Sequence, residues 1–226
     1  MTPADLLAVP GVPESTLDAA TSAELPAEAP LAPWNCASTG IVWLSRGGPA
    51  ALAVAGSDVA RGARAPVVIG GLISYRSTPV GEYHEVFGGV ALRTGRQLAV
   101  TIPFMAVDSR DSVVGGRQNW SLPKVLARFT GEPTSLAMTA EGDGWSVRVT
   151  AKPIAPRLPV RTTGRVMQAW PDGSVRSAVL TGRARSRPAL VTVEVRSDGN
   201  LASWLRPGRH LGAVMTDTAF TLPEPG

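Results

Sequence analysis

Several residue types are scarce in this chain of 226 residues, and each scarcity excludes a class of protein. The single cysteine, Cys36, cannot form an intramolecular disulfide and suits a reducing compartment. A lone cysteine is usually an inert small residue rather than a nucleophile. The two histidines, His84 and His210, lie far apart in the sequence, and no Cys/His/Asp cluster has metal-ligand spacing. We therefore expect no metal and no other cofactor.

Long apolar runs are also missing. None reaches the roughly 18 residues needed to span a bilayer, and no basic segment followed by an apolar stretch opens the chain. We therefore expect neither a membrane span nor a secretory signal, and a cytoplasmic location. Charged residues make up only 18% of the chain, which is compatible with a large subunit interface. A homo-oligomer is expected.

The charge distribution does not favour nucleic-acid binding. The net charge is +4, with 22 basic against 18 acidic residues. Residues 1–30 contain five of the acids and no base, so the remainder carries 22 bases against 13 acids, a net of +9. The arginines of that remainder are scattered, few aromatic residues lie between them, and no nucleic-acid motif is present. We expect no nucleic-acid partner.

The composition changes near residue 34. Residues 1–33 contain six prolines and no basic residue, which predicts a flexible or wrapping N-terminal arm. Residues 34–226 form the predicted folded domain, and its signals are those of short strands. Residues 40–44, 65–75, 83–92 and 98–107 are rich in β-branched and aromatic residues.

The second half of the chain continues this pattern. Alternating or β-branched runs at 135–139, 145–152, 163–170, 175–183, 190–196 and 211–222 predict further strands. The glycine-containing segments 142–144 and 171–173 predict hairpin turns. Residues 111–118 and 200–205 are expected to form short helical turns. The predicted fold class is mainly β, a curved antiparallel barrel or cone-like sheet with few short helices.

Lysine is the scarcest basic residue, with 2 lysines against 20 arginines. One of them, Lys124, lies in the almost wholly apolar segment 120–127. Such a lysine either extends its amine into solvent along an apolar surface or is buried. Burial lowers the pKa of the amine, and a neutral amine can form a Schiff base with a ketone or aldehyde.

The residues around Lys124 resemble the active-site region of acetoacetate decarboxylase-like proteins. In that family a Gly-Arg-Glu step is followed by an aromatic residue, Pro, two lysines and Leu. Here residues 116–118 (Gly-Arg-Gln) and 122–126 (Leu-Pro-Lys-Val-Leu) are in the corresponding places. Residues 81–86 are similar to the family's Tyr-x-Glu segment, at a matching interval. The resemblance covers about residues 34–223, and it implies a cone-like β-barrel.

The resemblance also implies a set of site residues. Lys124 corresponds to the Schiff-base lysine, and Glu85 to a carboxylate that lines the site. Substrate contacts are expected from four residues of the Lys124 segment: Arg117, Gln118, Trp120 and Leu122. A purely structural arginine and plain core packing of Trp120 and Leu122 are the alternatives. His84 neighbours Glu85, but adjacent side chains of a strand face opposite ways, so both cannot easily point into one site.

Four positions depart from the family pattern. Val125 replaces the second lysine, and Gln118 replaces the glutamate after Gly-Arg. A further family arginine and glutamate, expected near Ser38 and Gly70, are absent. Without a second lysine, only desolvation can lower the pKa of Lys124. These departures predict weak or absent turnover of acetoacetate itself.

The predicted function is a Schiff-base enzyme acting on a small keto acid. It would be a carbon–carbon lyase of decarboxylase or aldolase/dehydratase type, with Lys124 as nucleophile and Glu85 orienting substrate or moving a proton. The alternative is a non-catalytic β-barrel of the same fold that binds a small apolar or carboxylate ligand. Missing polar partners favour that alternative, whereas Lys124 and Glu85 oppose it. A structural or arm-mediated oligomer subunit is a third interpretation.

Overall fold

The structure is a computed structural model that describes residues 3–226, so Met1 and Thr2 of the predicted arm lie outside the described residues. The strands are β1 (Trp34–Arg46), β2 (Arg64–Ser77), β3 (Tyr83–Thr94), β4 (Gln97–Val107), β5 (Lys124–Leu126), β6 (Arg128–Glu132), β7 (Ala137–Gly142), β8 (Trp145–Pro153), β9 (Leu158–Ala169), β10 (Val175–Ser197) and β11 (Gly208–Leu222). The helices are α1 (Pro3–Leu7), α2 (Ala19–Ala23), α3 (Pro49–Val54), α4 (Ser57–Ala60), α5 (Arg110–Trp120) and α6 (Leu201–Trp204). Pro13–Ser15 and Pro133–Ser135 form single 3-10 turns. Within residues 3–226 no helix has the length and apolar character needed to cross a membrane.

All the strands belong to one sheet, and part of that sheet closes on itself. Its order is β11-β1-β2-β3-β4-β9-β10-β8-β7-β6, and β10 also pairs with β11. The seven strands from β11 through β10 therefore form a ring. Its weakest joint is between β4 and β9, which share one parallel pair, Val100 with Val166. The predicted fold class, a mainly β curved antiparallel sheet with few short helices, is confirmed.

The sequence signals predicted two strands where the structure has the single strand β10. Segments 175–183 and 190–196 were predicted as two strands, whereas β10 runs unbroken through Pro188. Its first half pairs with β9 and its second half with β8, so one partner replaces the other along the same edge. Pro188 cannot donate a hydrogen bond, but its carbonyl accepts one from Ile154 N at 2.9 Å, so the strand continues.

Both predicted hairpin turns are present, between β7 and β8 and between β9 and β10. The predicted turn at 200–205 is the short helix α6. The short helices α1, α3 and α4 were not predicted, and α5 is longer than the turn expected at 111–118. The long α5 matters most for function because it lies directly before β5.

The sheet separates two apolar regions. The larger core packs around Trp43, Phe104 and Trp204 on one face. The smaller region lies on the inside of the ring and includes Trp34 and Trp120. Since strand side chains alternate between faces, each strand of the ring contributes to both regions.

A glutamine side chain closes the ring where its backbone pairing is weakest. Gln168 of β9 is buried and bonds to β4: its Oε1 accepts from Ile102 N at 2.7 Å, and its Nε2 donates to Ile102 O at 3.1 Å. Oε1 also accepts from Thr101 Oγ1, and Nε2 also donates to Ser121 O. The amide thus takes the place of a peptide unit in the ladder, and it fixes the end of α5 at the same time.

The N-terminal segment wraps against the domain through buried contacts. Four of its apolar side chains are buried: Leu6, Val9, Val12 and Leu17. Val12 N donates to Pro103 O at 2.9 Å, and Ser15 Oγ accepts from Met105 N at 3.1 Å. One surface ion pair, Arg110 with Glu24, adds to these contacts. Burial rather than opposite charge therefore holds most of the segment, and we propose that residues 3–33 are part of the folded domain.

Two leucines of this segment test that proposal. Leu17 is 4% exposed and Leu31 is 71% exposed. If the segment is folded onto the domain, Leu17→Ala is expected to lower the free energy of unfolding by about 2–5 kcal/mol, since it removes a buried side chain. Leu31→Ala should change it by less than about 0.5 kcal/mol. Urea unfolding measures both, and equal, small effects would show that the segment is a removable arm.

Candidate active site

Helix α5 and the turn after it deliver Lys124 to the inside of the ring. The helix begins after Ser109, whose Oγ accepts from Ser112 N, as expected of an N-cap. It ends at Ser121, which adopts a left-handed conformation with φ 51°. Leu122 N then donates to Gly116 O, which reverses the chain. The following strand β5 runs parallel to β4, with Lys124 beside Met105.

The Lys124 amine is buried and has a partner for each of its three protons. Its Nζ lies 2.8 Å from Glu85 Oε2, and the two side chains are only 4% and 5% exposed. It donates to Ser112 Oγ at 2.9 Å and, at a longer 3.4 Å, to Tyr83 Oη. An ammonium group has three donors, so this geometry satisfies the charged form. The sequence-based pairing of Lys124 with Glu85 is thus present in the structure.

Glu85 is held by a second partner. Its Oε1 accepts from Tyr75 Oη at 3.1 Å, while Oε2 faces the lysine. Tyr75 stacks on Tyr83, with ring centroids 4.5 Å apart, and the Lys124 Nζ lies 5.0 Å from the Tyr83 ring centroid. The stacked tyrosines of β2 and β3 therefore lie beside the ion pair, where Tyr75 contacts Glu85 and Tyr83 contacts Lys124.

The electrostatics of this cluster favour the charged lysine. Burial alone lowers the pKa of Lys124, but the charge of Glu85, the Tyr83 phenol and the hydrogen bonds to both outweigh burial. The pKa of Lys124 is therefore raised above the ordinary lysine value. From the sequence, only desolvation was expected to lower this pKa; burial does act in that direction, but the carboxylate 2.8 Å away has the larger effect and raises the pKa.

The two tyrosines and the cysteine of the site are protonated at neutral pH. Burial is the main reason that the pKa of Tyr83 is raised to about 12 and that the pKa of Tyr75 is raised well above its ordinary value. Burial likewise raises the pKa of the Cys36 thiol to about 12. Cys36 is therefore a neutral thiol in the cavity wall, which agrees with the expectation of an inert residue.

The ion pair faces a cavity of about 260 Å³. Its polar lining groups include Lys124, Glu85 and the two tyrosines, and most of the rest of the wall is apolar. Trp120 and Leu122 line it, as predicted. Arg165 borders the cavity from the exposed strand β9, and its guanidinium donates to Ser177 Oγ at 2.9 Å.

Arg117 does not have the placement expected of a substrate-binding residue. It is fully buried, and its Nε donates to Lys124 O at 2.7 Å. Nη1 donates to Leu6 O at 2.7 Å and Nη2 to Ser15 O at 2.9 Å. Burial lowers the pKa of Arg117 to about 10, which leaves it charged at neutral pH. All three nitrogens are thus bound to backbone carbonyls, so the structural alternative fits Arg117 better than carboxylate binding.

Gln118 is likewise not at the cavity. It is half-buried near the end of α5 and is not among the lining residues. The helix presents Gly116 to the lysine instead: a Cβ on Gly116 would lie 2.5 Å from Lys124 Cδ and 2.7 Å from Cε. Any larger residue at position 116 would displace the lysine stem, which explains the glycine there physically.

His84 faces away from the ion pair, as strand alternation predicted. Its Nδ1 lies 2.7 Å from Asp108 Oδ2 and its Nε2 lies 2.8 Å from Glu132 Oε1. The hydrogen bond to Asp108 is the main reason that the pKa of His84 is raised to about 9. This histidine therefore ties β3 to β6 on the other side of the sheet and does not contribute to the cavity.

The structure also accounts for two of the departures from the family pattern. Val125, in place of a second lysine, is buried in the larger core, on the other side of β5 from Lys124. At Gly70 a Cβ would lie 2.1 Å from Trp43 Cζ2, so a glutamate cannot fit without moving the indole. Ser38 is buried in β1.

Three residues of the site were missed in the sequence: Tyr75, Tyr83 and Ser112. A signal for Tyr83 existed, since it precedes Glu85 by two residues and strand alternation places both on one face. Tyr75 pairs with Tyr83 across β2 and β3. This register could not be predicted, because no turn was recognised at residues 78–82 in the sequence. Ser112 required knowledge that α5 begins at Arg110.

Comparisons with known proteins agree with this fold. Residues 49–155 match the family model described as acetoacetate decarboxylase (ADC). The match covers 107 of the 226 residues and supports an acetoacetate decarboxylase-like protein. The resemblance inferred from residues 81–86 and 116–126 is therefore confirmed. No curated protein sequence matches the chain.

Solved structures share the fold at low sequence identity. An acetoacetate decarboxylase from Legionella pneumophila subsp. pneumophila str. Philadelphia 1 is 15% identical, with a TM-score of 0.54, over 89% of this chain and 91% of that one. The enduracididine biosynthesis enzyme MppR complexed with pyruvate is 12% identical, with a TM-score of 0.57, over 88% and 91%. An acetoacetate decarboxylase-like enzyme from Sphingomonas wittichii RW1 is 13% identical, with a TM-score of 0.57, over 87% and 93%.

The raised pKa of Lys124 can be tested without any substrate. Only Lys124 and Lys152 are present, so lysine labelled with ¹³C at Cε gives two NMR signals. Lys124 is expected to remain charged above the ordinary lysine pKa of about 10.4. In Glu85→Gln the raising charge is lost and burial remains, so the pKa of Lys124 should fall below the wild-type value.

The exposed Lys152 serves as the internal control in the same spectra. Its titration should be the same in both proteins, because it lies in β8, away from the cavity. A Lys124 signal that titrates near neutral pH in the wild type would contradict the ion pair. A pKa unchanged by Glu85→Gln would show that Glu85 does not determine it.

Proposed function

We propose that the protein is a Schiff-base enzyme of decarboxylase or aldolase/dehydratase type, with Lys124 as the nucleophile. The observation that carries this proposal is the buried Lys124–Glu85 pair at 2.8 Å, facing a largely apolar cavity. A buried lysine beside a carboxylate has no evident structural purpose, since such pairs are weak evidence for stability. A nucleophile with an adjacent proton acceptor is the arrangement that covalent catalysis requires.

The first step is a proton transfer within the pair. Lys124 Nζ gives one proton to Glu85, which leaves a neutral amine and a neutral carboxylic acid. The amine attacks the substrate carbonyl carbon to form a carbinolamine, and Glu85 returns its proton to the departing hydroxyl, which leaves as water. The product is an iminium ion on Nζ. Its positive charge is stabilised by the carboxylate that the same step restores.

The iminium ion then accepts the electron pair of the bond that breaks. In the decarboxylation of a 3-keto acid this is the bond to the carboxylate, which leaves as carbon dioxide. In a retro-aldol cleavage it is the bond to a hydroxyl-bearing carbon, which gives its hydroxyl proton to Glu85 and leaves as an aldehyde. Either route gives an enamine on Lys124. Protonation of its carbon and hydrolysis by water release the product and regenerate the amine.

The substrate class is proposed as a keto acid. Support comes from a solved structure of similar fold, the enduracididine biosynthesis enzyme MppR, which is complexed with pyruvate. The cavity offers no free cation at the pair, because the charge of Lys124 is balanced by Glu85. A carboxylate in this setting is poorly stabilised, which favours its loss as carbon dioxide. The absence of family polar residues near Ser38 and Gly70 keeps acetoacetate itself a poor candidate.

A non-catalytic ligand-binding barrel is the second candidate. The raised pKa of Lys124 favours it, because a charged amine is not nucleophilic. In that case the ion pair would only orient a bound ligand. The two candidates differ in whether a covalent bond to Lys124 ever forms.

Borohydride trapping separates the two candidates. The full chain is incubated with borohydride and a panel of 2- and 3-keto acids, and its intact mass is measured. We expect an increase equal to one reduced adduct, abolished in Lys124→Arg and retained in the matched variant Lys152→Arg. Because the pKa of Lys124 is raised, the neutral amine becomes more abundant as the pH rises, so trapping should speed up with increasing pH.

Two results would contradict this proposal in different ways. No adduct with any keto acid or aldehyde, combined with normal ligand binding by Lys124→Ala, would favour the non-catalytic barrel. Vigorous turnover of acetoacetate would leave the Schiff base intact but overturn the expectation drawn from Ser38 and Gly70.

We propose a cytoplasmic homo-oligomer as the working form. The free, buried Cys36 is compatible with a reducing compartment. Leu44 and Leu211 are 52% and 67% exposed and are register partners on β1 and β11, so they form one apolar surface. Double substitution by serine should then reduce the mass in solution. A wild-type mass equal to one chain would contradict assembly.

A further inference from the structure

We propose that the natural substrate carries an aromatic ring joined to its reactive carbonyl by a short linker, and that the cavity binds this ring. The inference rests on the proposed function for the position of the carbonyl at Lys124. It goes beyond that function by naming the chemical class of the group attached to it. Three properties of the cavity carry it: the kind of residues in its wall, the placement of its polar groups and its volume.

The cavity wall concentrates the aromatic residues of the protein. The chain has 12 of them, from 6 Trp, 2 Tyr and 4 Phe. Half of the 12 line this one cavity: Trp34, Tyr75, Tyr83, Phe87, Trp120 and Phe220. In a chain with only 5% aromatic residues this concentration is not what uniform core packing gives. It indicates a wall suited to an apolar and flat ligand.

The rings form a connected path that begins at the amine. The Tyr83 ring lies 5.0 Å from Lys124 Nζ, and Tyr75 stacks on it with centroids 4.5 Å apart. Phe220 meets Tyr75 at 6.2 Å and 61°, and it is half-buried. Ring faces and edges are therefore presented in sequence from Lys124 toward the solvent. A ligand ring beside them can adopt the offset or edge-to-face contacts that aromatic groups prefer.

The polar groups leave little for a second charged group to bind. Lys124 and Glu85 neutralise each other, and Tyr75 donates to the other Glu85 oxygen. The guanidinium of Arg165, at the exposed edge, donates to Ser177. Between the ion pair and Arg165 at the exposed edge, the cavity wall is apolar, so the part of the substrate that lies between them should be uncharged.

The volume is too large for the smallest keto acids alone. An engineered protein cavity of about 150 Å³ holds benzene. The cavity here measures about 260 Å³, which leaves room for a ring together with a carbonyl group and a short linker. A three-carbon keto acid would leave most of the aromatic wall without contact. The match between wall and volume thus favours an aryl-substituted carbonyl compound.

A matched pair of 2-keto acids tests this inference. 2-Oxobutanoate and 4-phenyl-2-oxobutanoate differ only by a phenyl group. Half-saturation concentrations for borohydride trapping are measured for both with the full chain. We expect the phenyl compound to saturate at a concentration at least about tenfold lower, since a fully buried ring contributes as much as a phenylalanine side chain.

Two phenylalanines provide matched variants. Phe220 and Phe129 are both half-buried in strands, but only Phe220 lines the cavity. Phe220→Ala is expected to reduce the preference for the phenyl compound by about two- to tenfold, whereas Phe129→Ala should leave it unchanged. Equal half-saturation for the two keto acids, or an unchanged preference in Phe220→Ala, would overturn the inference.

Lys124→Met separates this inference from the Schiff-base proposal. The variant cannot form an imine, but its aromatic wall is intact, so binding of 4-phenyl-2-oxobutanoate is measured by the quenching of tryptophan fluorescence. Trapping of both keto acids at equal half-saturation concentrations would overturn only the aromatic inference and leave the Schiff-base proposal standing. Failure of all trapping, with the phenyl compound still bound at least about tenfold more tightly than 2-oxobutanoate, would uphold the aromatic site and reject the nucleophile.

Discussion

The buried ion pair between Lys124 and Glu85 is the constraint on which the rest of the site depends. Two charges placed inside a protein are stable only if each is paired and its remaining hydrogen-bonding capacity is used. Here the ammonium has Glu85, Ser112 and Tyr83, and the carboxylate has Tyr75 for its second oxygen. Loss of one charge would leave the other uncompensated, at a cost of about 3–5 kcal/mol. The elements β2, β3, β5 and α5 must therefore keep their relative positions.

Arg117, in helix α5 shortly before Lys124, is a second buried charge whose hydrogen-bonding groups must be satisfied. Its charge has no carboxylate partner among its hydrogen bonds; three backbone carbonyls surround it instead. One belongs to Lys124, and the other two belong to Leu6 and Ser15. The guanidinium thus connects the N-terminal segment to the backbone of the lysine. The position of Lys124 depends in this way on residues that composition alone marks as an arm.

Features with a local sequence signal were predicted correctly, whereas features that depend on residues distant in the sequence were missed. The strands at 65–75 and 83–92 and the two hairpin turns are local patterns, and they were predicted. The structure joins segments 175–183 and 190–196 into one strand, β10. This strand pairs with β9 along its first half and with β8 along its second half, and no local sequence pattern indicates that change of partner. The pairing of Lys124 with Glu85 was predictable only because a family motif fixed their interval. The placement of Arg117 depends on contacts more than 100 residues distant, so its sequence could not exclude a substrate-binding role.

The departures from the family motif also change what the lysine needs in order to react. A second lysine would lower the pKa by repulsion, but Val125 packs into the core instead. In its place the amine has a carboxylate 2.8 Å away, which raises the pKa and at the same time offers a proton acceptor within reach. Transfer of one proton across that contact converts a charged pair into a neutral pair without moving charge to solvent. An apolar ligand that fills the aromatic cavity excludes water and lowers the local polarity, which disfavours the charged pair more than the neutral one. Under the proposed mechanism, the ring that occupies the cavity would also shift the proton from Lys124 to Glu85, so that substrate binding would generate the free amine.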